Sequence, residues 1–272
     1  MAPGILEARP LSFPGSGARL AAWLLAAGFA WTGSAAQAAD LQVDPILVEF
    51  ASGEQSQVVR LTNTGTEPLK AQVRISRWTQ QDGEEHLEPT RDLLPSPAIV
   101  EVPAGQRQLV RLIRPNPVPL QAEAAYRLTI DELPQGDDRP RDSGLQFLLR
   151  YSVPTFVLAE GTEALSPSRR ESIAPLQAPD VTARLLAQPE DSVLVVTNPG
   201  RQRVRLSALA WVDGAGRRTE LVPGLLGYVL AGQHMRWAIP LSQQTVASGG
   251  SLKARFNDDP NEQTLPLDPA GR

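Results

Sequence analysis

Apolar and polar residues alternate along short runs of this chain, and turn residues separate the runs. The alternation is clear in QVVRLTNTG (57–65), KAQVRISRWTQ (70–80) and AAYRLTIDELP (124–134). A period of two is typical of β-strands that bury one face. About seven such runs precede residue 158, a spacing typical of an antiparallel β-sandwich. Helix signals are scarce, so the pattern predicts an all-β fold.

The second half of the chain repeats the pattern of the first. VRLTNTG (59–65) is similar to LVVTNPG (194–200), and EVPAGQRQLVRL (101–112) is similar to YVLAGQHMRWAI (228–239). We therefore predict two tandem immunoglobulin-like β-sandwich domains in a boomerang arrangement. The predicted segments are a first domain, a polar linker and a second domain, at 40–158, 159–170 and 171–272.

The N-terminal segment has the composition of a secretory signal peptide. Arg19 precedes the apolar run LAAWLLAAGFAW (20–31), and Ala36-Gln37-Ala38 has the small-x-small form of a cleavage site. We expect residues 1–39 to be removed and the mature chain to begin near Ala39 or Asp40. An uncleaved membrane anchor is the alternative, but the apolar run is short for a bilayer span. We therefore expect export and no membrane insertion.

Composition and spacing give no support for an enzyme. The formal net charge is −4, and without a large basic block nucleic acid is not an expected partner. The chain has no cysteine, which excludes disulfides, thiolate zinc sites and a cysteine nucleophile. His86 and His234 lack i, i+4 partners, and no nucleophile-elbow motif is present. We expect no catalytic activity, no cofactor and no metal.

The segment GLQFLLRYSVPTFV (144–157) is unusually apolar for a strand of a soluble protein. Its residues Leu145, Phe147, Leu149 and Tyr151 share one face of an extended chain, and Leu148 interrupts the opposite face. Two interpretations compete. The segment is either a core strand covered on both faces, or a sheet-edge strand whose residues bind a partner by β-strand addition.

The order of these features resembles the periplasmic pilus-assembly chaperones of the chaperone–usher pathway, particularly their archaic branch. The features are an export signal, two sandwiches, the segment IDELP, a polar loop (134–144) and then LQFLLRYSVPTFV. The resemblance implies a chaperone that folds and caps pilus or fimbrial subunits, which lack their last strand. It would lend them its own strand, inserting Leu145, Phe147, Leu149 and Tyr151 into the groove, and pass them to an outer-membrane usher.

Members of this family hold the subunit's C-terminal carboxylate with basic residues at the interdomain cleft. At the two matching positions this sequence has Leu47 and Pro154, so the resemblance implies that the anchor has moved. Arginine can grip a carboxylate through two parallel hydrogen bonds. Arg127 is the first candidate anchor and Arg150 the second, and Arg111 and Arg114 on the preceding strand are weaker candidates. The alternative for Arg127 is an ordinary exposed strand arginine.

A different function class is also compatible with two exported immunoglobulin-like domains. Such a protein could be a structural or adhesive module. Its edge strands would be protected from pairing with other strands, and it would not need an apolar segment at 144–157. If the segment is an exposed edge, we also expect the free protein to cap it by forming a dimer.

Overall fold

The computed structural model describes residues 40–134, 148–166 and 179–268. Strands of the first sandwich form two sheets, with the orders β1-β3-β8-β6 and β2-β10-β9-β4-β5, and β7 also pairs with β4. Their bounds are β1 (Leu41–Asp44), β2 (Val48–Phe50), β3 (Ser56–Asn63), β4 (Leu69–Gln81), β5 (Glu84–Pro89), β6 (Leu94–Ser96), β7 (Ile99–Val102), β8 (Arg107–Ile113), β9 (Ala124–Leu133) and β10 (Arg150–Val157). The core between the sheets includes Phe50, Leu61, Leu112, Leu128 and Ile130.

The second sandwich also has two sheets, with the orders β11-β12-β15 and β14-β13-β16-β17. Its elements are β11 (Thr182–Ala187), β12 (Ser192–Thr197), β13 (Val204–Asp213), β14 (Arg218–Val229), β15 (His234–Ile239), helix α1 (Gln243–Ala247), β16 (Gly250–Phe256) and β17 (Gln263–Thr264). Its core is separate from the first and includes Leu194, Leu206, Leu209, Trp211 and Leu252. The predicted all-β fold with two sandwiches is confirmed.

The sequence repeat between the halves corresponds to a repeated turn. Asn63 ends β3 and Asn198 follows β12, and each side-chain amide donates to backbone carbonyls of neighbouring segments. Each side-chain oxygen also accepts a hydrogen bond from the glycine two residues later, Gly65 or Gly200, at 2.9 Å. Asparagine supplies both donor and acceptor here, which explains why the motif recurs in both sandwiches.

Several elements were missed or misplaced by the sequence pattern. β5, β6, β17 and α1 were not predicted, and β14 begins at Arg218, before the repeated segment 228–239 that the sequence pattern marks. The segment before residue 228 contains Pro223, Gly224 and Gly227, which normally indicate a turn. β14 accommodates them because its pairing with β13 contains register shifts.

Two predicted segments, the signal peptide and the interdomain linker, lie wholly or partly outside the described residues. The predicted signal peptide, 1–39, lies outside the described residues, as do residues 167–170 of the predicted linker. Within residues 40–134, 148–166 and 179–268, no helix has the length and apolar character that a membrane span requires.

Candidate functional site

Strand β10 has one fully paired edge and one largely unpaired edge. It pairs antiparallel with β9 over its whole length, from Arg150 to Val157. On the other side it pairs with β2 only at Thr155–Val157. Among the described strands, none pairs with this side of β10 between Arg150 and Pro154. Unpaired strand edges are templates for the addition of another strand.

The hydrogen-bond pattern shows which backbone groups face this open edge. The Glu132 amide donates to the Leu149 carbonyl at 2.9 Å, so the backbone hydrogen-bonding groups of Leu149 point towards β9. Because the direction alternates along an antiparallel pair, the backbone groups of Arg150 and Ser152 point to the open side. Pro154 follows in the same register but has no N–H to donate.

The structure places two of the four predicted groove residues. Leu149 and Tyr151 are partly buried against the core of the first sandwich, on the same face as the buried Val153. The Tyr151 hydroxyl donates to the Leu41 carbonyl. Leu145 and Phe147 lie outside the described residues. The strand itself is shorter than the predicted 144–157, because Leu149 precedes β10.

The two halves of β10 have different surroundings. Its C-terminal half is covered on both faces: Val157 belongs to the first core, whereas Phe156 belongs to a separate cluster that includes Trp78, Tyr228 and Leu230. The three aromatic ring centroids lie 5.6–6.0 Å apart. Tyr228 and Leu230 come from the second sandwich, so this aromatic cluster lies between the two sandwiches. The C-terminal half of β10 is therefore apolar on both faces because one face packs in the first core and the other packs in the aromatic cluster.

Hydrogen bonds beside the aromatic cluster join the two sandwiches. The buried Gln80 side chain on β4 donates to the Tyr228 carbonyl and accepts from the Leu230 amide, both at 2.8 Å. At the β4–β5 turn, the Gly83 carbonyl accepts from the Arg236 amide of β15 at 3.2 Å. One glutamine therefore satisfies two backbone groups of the other sandwich.

A buried ion cluster forms a second connection between the sandwiches. The Arg203 side chain, 3% exposed, donates to the Glu123 carboxylate at 2.7 Å and also to Glu49; both carboxylate groups are 1% exposed. The Arg203 guanidinium also lies over the Phe156 ring, 3.7 Å from its centroid. Glu49 accepts further hydrogen bonds from the backbone at residues 165 and 166. Arg203 belongs to the second sandwich, and both glutamates belong to the first.

Burial and charge act in opposite directions on this cluster. Burial raises the pKa of Glu123, and the Arg203 charge only partly opposes this. Burial alone would lower the pKa of Arg203, but the charges of Glu123 and Glu49 outweigh it and raise that pKa. The sequence analysis missed these residues. The available signal was Glu49 in ILVEF, a charge inside an apolar strand that needs a buried partner.

Arg127, the first candidate for the carboxylate anchor, lies beside the aromatic cluster. Its guanidinium lies over the Trp78 ring, 3.7 Å from the centroid, and its side chain is 15% exposed. It pairs with Glu85 at 3.4 Å. Burial lowers its pKa, and the Glu85 charge opposes this. In the strand register, Arg127 lies directly opposite Pro154.

Arg150 lies at the other end of β10. It is six residues before Phe156, which corresponds to about 20 Å along a strand. Its side chain, 69% exposed, pairs with Asp131, which also pairs with Arg74. Burial opposes ionisation of Asp131, but hydrogen bonds from both arginines outweigh it and lower the pKa of that carboxyl. The structure therefore separates the two candidates in space.

The histidines and acids are not arranged as a metal site in the part of the chain that the structure describes. Both His86 and His234 are exposed. Among the described residues, no group of three or more His, Cys, Asp or Glu side chains could hold a metal ion.

Comparisons with known proteins agree with this architecture. Among solved structures, the chain is similar to one in the crystal structure of the CsuC–CsuE chaperone–tip adhesion subunit pre-assembly complex from archaic Csu pili of Acinetobacter baumannii. The TM-score is 0.64 and the identity 24%, covering 84% of this chain and 98% of that one. The Pseudomonas aeruginosa CupB2 chaperone gives a TM-score of 0.52 at 18% identity, covering 82% and 97%.

A third structure, the Salmonella enterica SafA pilin in complex with the SafB chaperone, gives a TM-score of 0.53 at 13% identity, covering 85% of this chain and 99% of that one. No curated protein sequence matches the chain. Residues 40–163 match the family model for pili and flagellar-assembly chaperones, PapD N-terminal domain. This family-model match therefore spans the first sandwich, and the similarity to the solved structures extends over the fold of both sandwiches.

Proposed function

We propose that this protein is a periplasmic chaperone that binds, folds and caps pilus or fimbrial subunits by donor-strand complementation and delivers them to an outer-membrane usher. The open edge of β10 between Arg150 and Pro154 is the observation that carries the proposal. The PapD-type first domain and the predicted signal peptide support it. The proposal requires no catalytic step.

In the proposed complex, the β10 edge supplies backbone hydrogen bonds and the preceding apolar row supplies most of the free energy. Burying four apolar side chains at about 1.5–3 kcal/mol each gives a gross gain of about 6–12 kcal/mol. One charged hydrogen bond contributes about 1.5–3 kcal/mol. Leu149 and Tyr151 are already partly buried, so their share lies at the low end. Leu145 and Phe147 would then contribute the larger part.

We assign the carboxylate anchor to Arg127. The two positions where relatives carry basic anchors are close to it, because Pro154 lies opposite Arg127 in the register and Leu47 packs against the aromatic cluster that contains Trp78. A guanidinium stacked on Trp78 is held in place, so it loses little entropy when it binds a carboxylate. Arg150 ranks second, because it is remote from this cluster and pairs with Asp131.

A pair of substitutions tests strand donation. Leu149→Glu places a charge on the face that should enter the subunit groove, whereas Leu148→Glu changes the neighbouring residue, which is 46% exposed. Co-expressed subunit should be captured by the Leu148→Glu variant and lost with Leu149→Glu, while both variants keep the wild-type circular dichroism spectrum. Equal capture by both variants would favour a structural or adhesive module instead.

Hydrogen exchange gives an independent test of the same proposal. The backbone amides of Arg150 and Ser152 should exchange quickly in the monomer and slowly in the complex with subunit, because an added strand would satisfy them. Slow exchange at these amides in a proven monomer would contradict strand donation. In the free protein at high concentration, we expect the same amides to be protected by a self-capping dimer.

The anchor is tested by comparing Arg127→Ala with Arg150→Ala. Loss of a charged hydrogen bond of about 1.5–3 kcal/mol corresponds to roughly ten- to hundredfold weaker capture for Arg127→Ala. Arg150→Ala should change capture less than threefold, roughly the effect of an exposed ion pair. A subunit extended at its C-terminus should bind the wild-type protein and Arg127→Ala equally weakly. The reverse order of the two variants would move the anchor to Arg150.

A further inference from the structure

A cavity of about 240 Å³ lies in the first sandwich, and none of its lining residues belongs to β10. The residues that line it include Arg77 on β4, Arg91 and Asp92 after β5, Arg114 after β8 and Tyr126 on β9. Tyr126 and Arg127 are successive strand residues and point to opposite faces. The cavity is therefore separate from the proposed carboxylate anchor.

The charges around this cavity are unbalanced. Arg77 pairs with Asp92, and the Tyr126 hydroxyl donates to the same carboxylate at 3.1 Å. Neither Arg91 nor Arg114 has a carboxylate within ion-pairing distance among the described residues. Three arginines and one aspartate leave an excess of two positive charges.

Arg114 is the most unusual member, because its charge is buried. It is 6% exposed and donates to the backbone carbonyls of Ser52 and Val118. These carbonyls satisfy hydrogen bonds but carry no net charge, so no carboxylate among the described residues pairs directly with this guanidinium. A buried charge of this kind is costly unless an opposite charge accompanies it. The electrostatics therefore favour a bound anion.

Apart from Asn116, the remaining wall of the cavity is apolar. Its aliphatic side chains come from the β8–β9 connection and the start of β9 and include Val118, Leu120 and Ala124. Burial and the neighbouring Asp92 raise the pKa of Tyr126 to about 12, so its hydroxyl stays protonated. A ligand that fits has an anionic group for the arginines and an apolar group for the aliphatic wall.

We propose that this cavity binds a small organic anion, in which a carboxylate or a phosphate is attached to a compact apolar group. The anionic group lies against Arg91 and Arg114, and the apolar group lies against Leu120. None of the residues that line the cavity lies on β10, so an anion bound here does not occupy the edge proposed for subunit binding.

Titration calorimetry on the mature protein at low ionic strength tests the proposal with four probes. Phenylacetate and phenyl phosphate carry both features, benzyl alcohol lacks the charge, and inorganic phosphate lacks the apolar group. We expect the first two to bind more tightly than the others, and the tighter of the two identifies the preferred anionic group. No binding of either at about 10 mM would overturn the proposal.

Two variants locate the binding. Arg91 is exposed, so Arg91→Gln should fold normally and weaken binding at least tenfold, by about 1.4 kcal/mol. Arg111→Gln is the matched control, because Arg111 is an exposed arginine on β8 that does not line the cavity. NMR shifts on binding should centre on Arg114 and Tyr126. Equal affinities for the two variants, or shifts elsewhere in the protein, would refute the assignment.

Discussion

Replacement of Arg203 by methionine tests whether the buried ion cluster holds the two sandwiches together. Methionine has a similar length and can still pack on Phe156, so the change removes mainly the charge. Glu49 keeps its hydrogen bonds from the backbone at residues 165 and 166, and Glu123 keeps the one from the Arg203 amide. Both carboxylates, each 1% exposed, then lose their only cation among the described residues.

The structure sets the size and the pH dependence of this effect. Removing one partner of a buried ion pair costs about 3–5 kcal/mol, because an uncompensated charge stays buried. Burial already raises the pKa of Glu123, and the variant lacks the Arg203 charge that opposes this, so protonation of Glu123 relieves the penalty as the pH falls. We therefore expect Arg203→Met to lower the free energy of unfolding by about 3–5 kcal/mol at neutral pH, and by less in mildly acidic buffer.

Urea unfolding of the mature protein, followed by circular dichroism, measures the loss. Arg201→Met is the matched control: Arg201 is exposed and donates across the same interface to the carbonyls of Gln121 and Glu160. Arg201→Met should lower the free energy of unfolding by about 1 kcal/mol. If Arg203→Met costs no more than this control, or if its penalty does not change with pH, the ion cluster does not hold the interface.

Two further predictions concern other parts of the molecule. The lowered pKa of Asp131 means that its arginine pairs stabilise the fold above its ordinary pKa of 3.8, and that this stabilisation is lost as the pH falls through the lowered value. Asp131→Asn should cost at most about 1 kcal/mol at neutral pH, because both arginines are largely exposed, and the difference from wild type in urea unfolding should disappear in strong acid; a constant difference would contradict this. Gly83→Ala should destabilise more than Gly105→Ala, although each costs about 1–2 kcal/mol for a left-handed backbone, since φ is 81° and 67°. Of these two positions, only Gly83 would bring the new Cβ against a side chain, that of Arg236, so equal melting temperatures for the two variants would refute the close contact.

Strand positions could be predicted from the sequence wherever one face is buried and the other is not. β4 is the clearest case: Leu69, Ala71 and Val73 are buried, and the residues between them are not. The prediction was weaker where this contrast disappears. The residues of β5 are exposed throughout, so no apolar period marks that strand, and β14 contains Pro and Gly that its register shifts accommodate.

The proposed binding site could be predicted only in part, for a similar reason. The apolar row that includes Leu149 and Tyr151 is visible because its residues are spaced two apart. The sequence ranks Arg127 before Arg150 but offers little support for the order, because both are single arginines on strands. The proposal that Arg127 is the anchor rests on the Trp78 ring beneath it and on the Asp131 carboxylate beside Arg150, and neither contact is visible in the sequence.

The sequence by itself determined the all-β class, the two sandwiches and the apolar face of the strands that alternate, such as β4, because alternation depends on neighbours only a few residues apart. Only the tertiary structure decided which half of β10 has an open edge, since that depends on β2 pairing with only three of its residues. It also decided that Arg203 meets Glu49, which is 154 residues away in the chain. Charge pairs at such separations leave no periodic signal, because their geometry exists only once the sheets have packed.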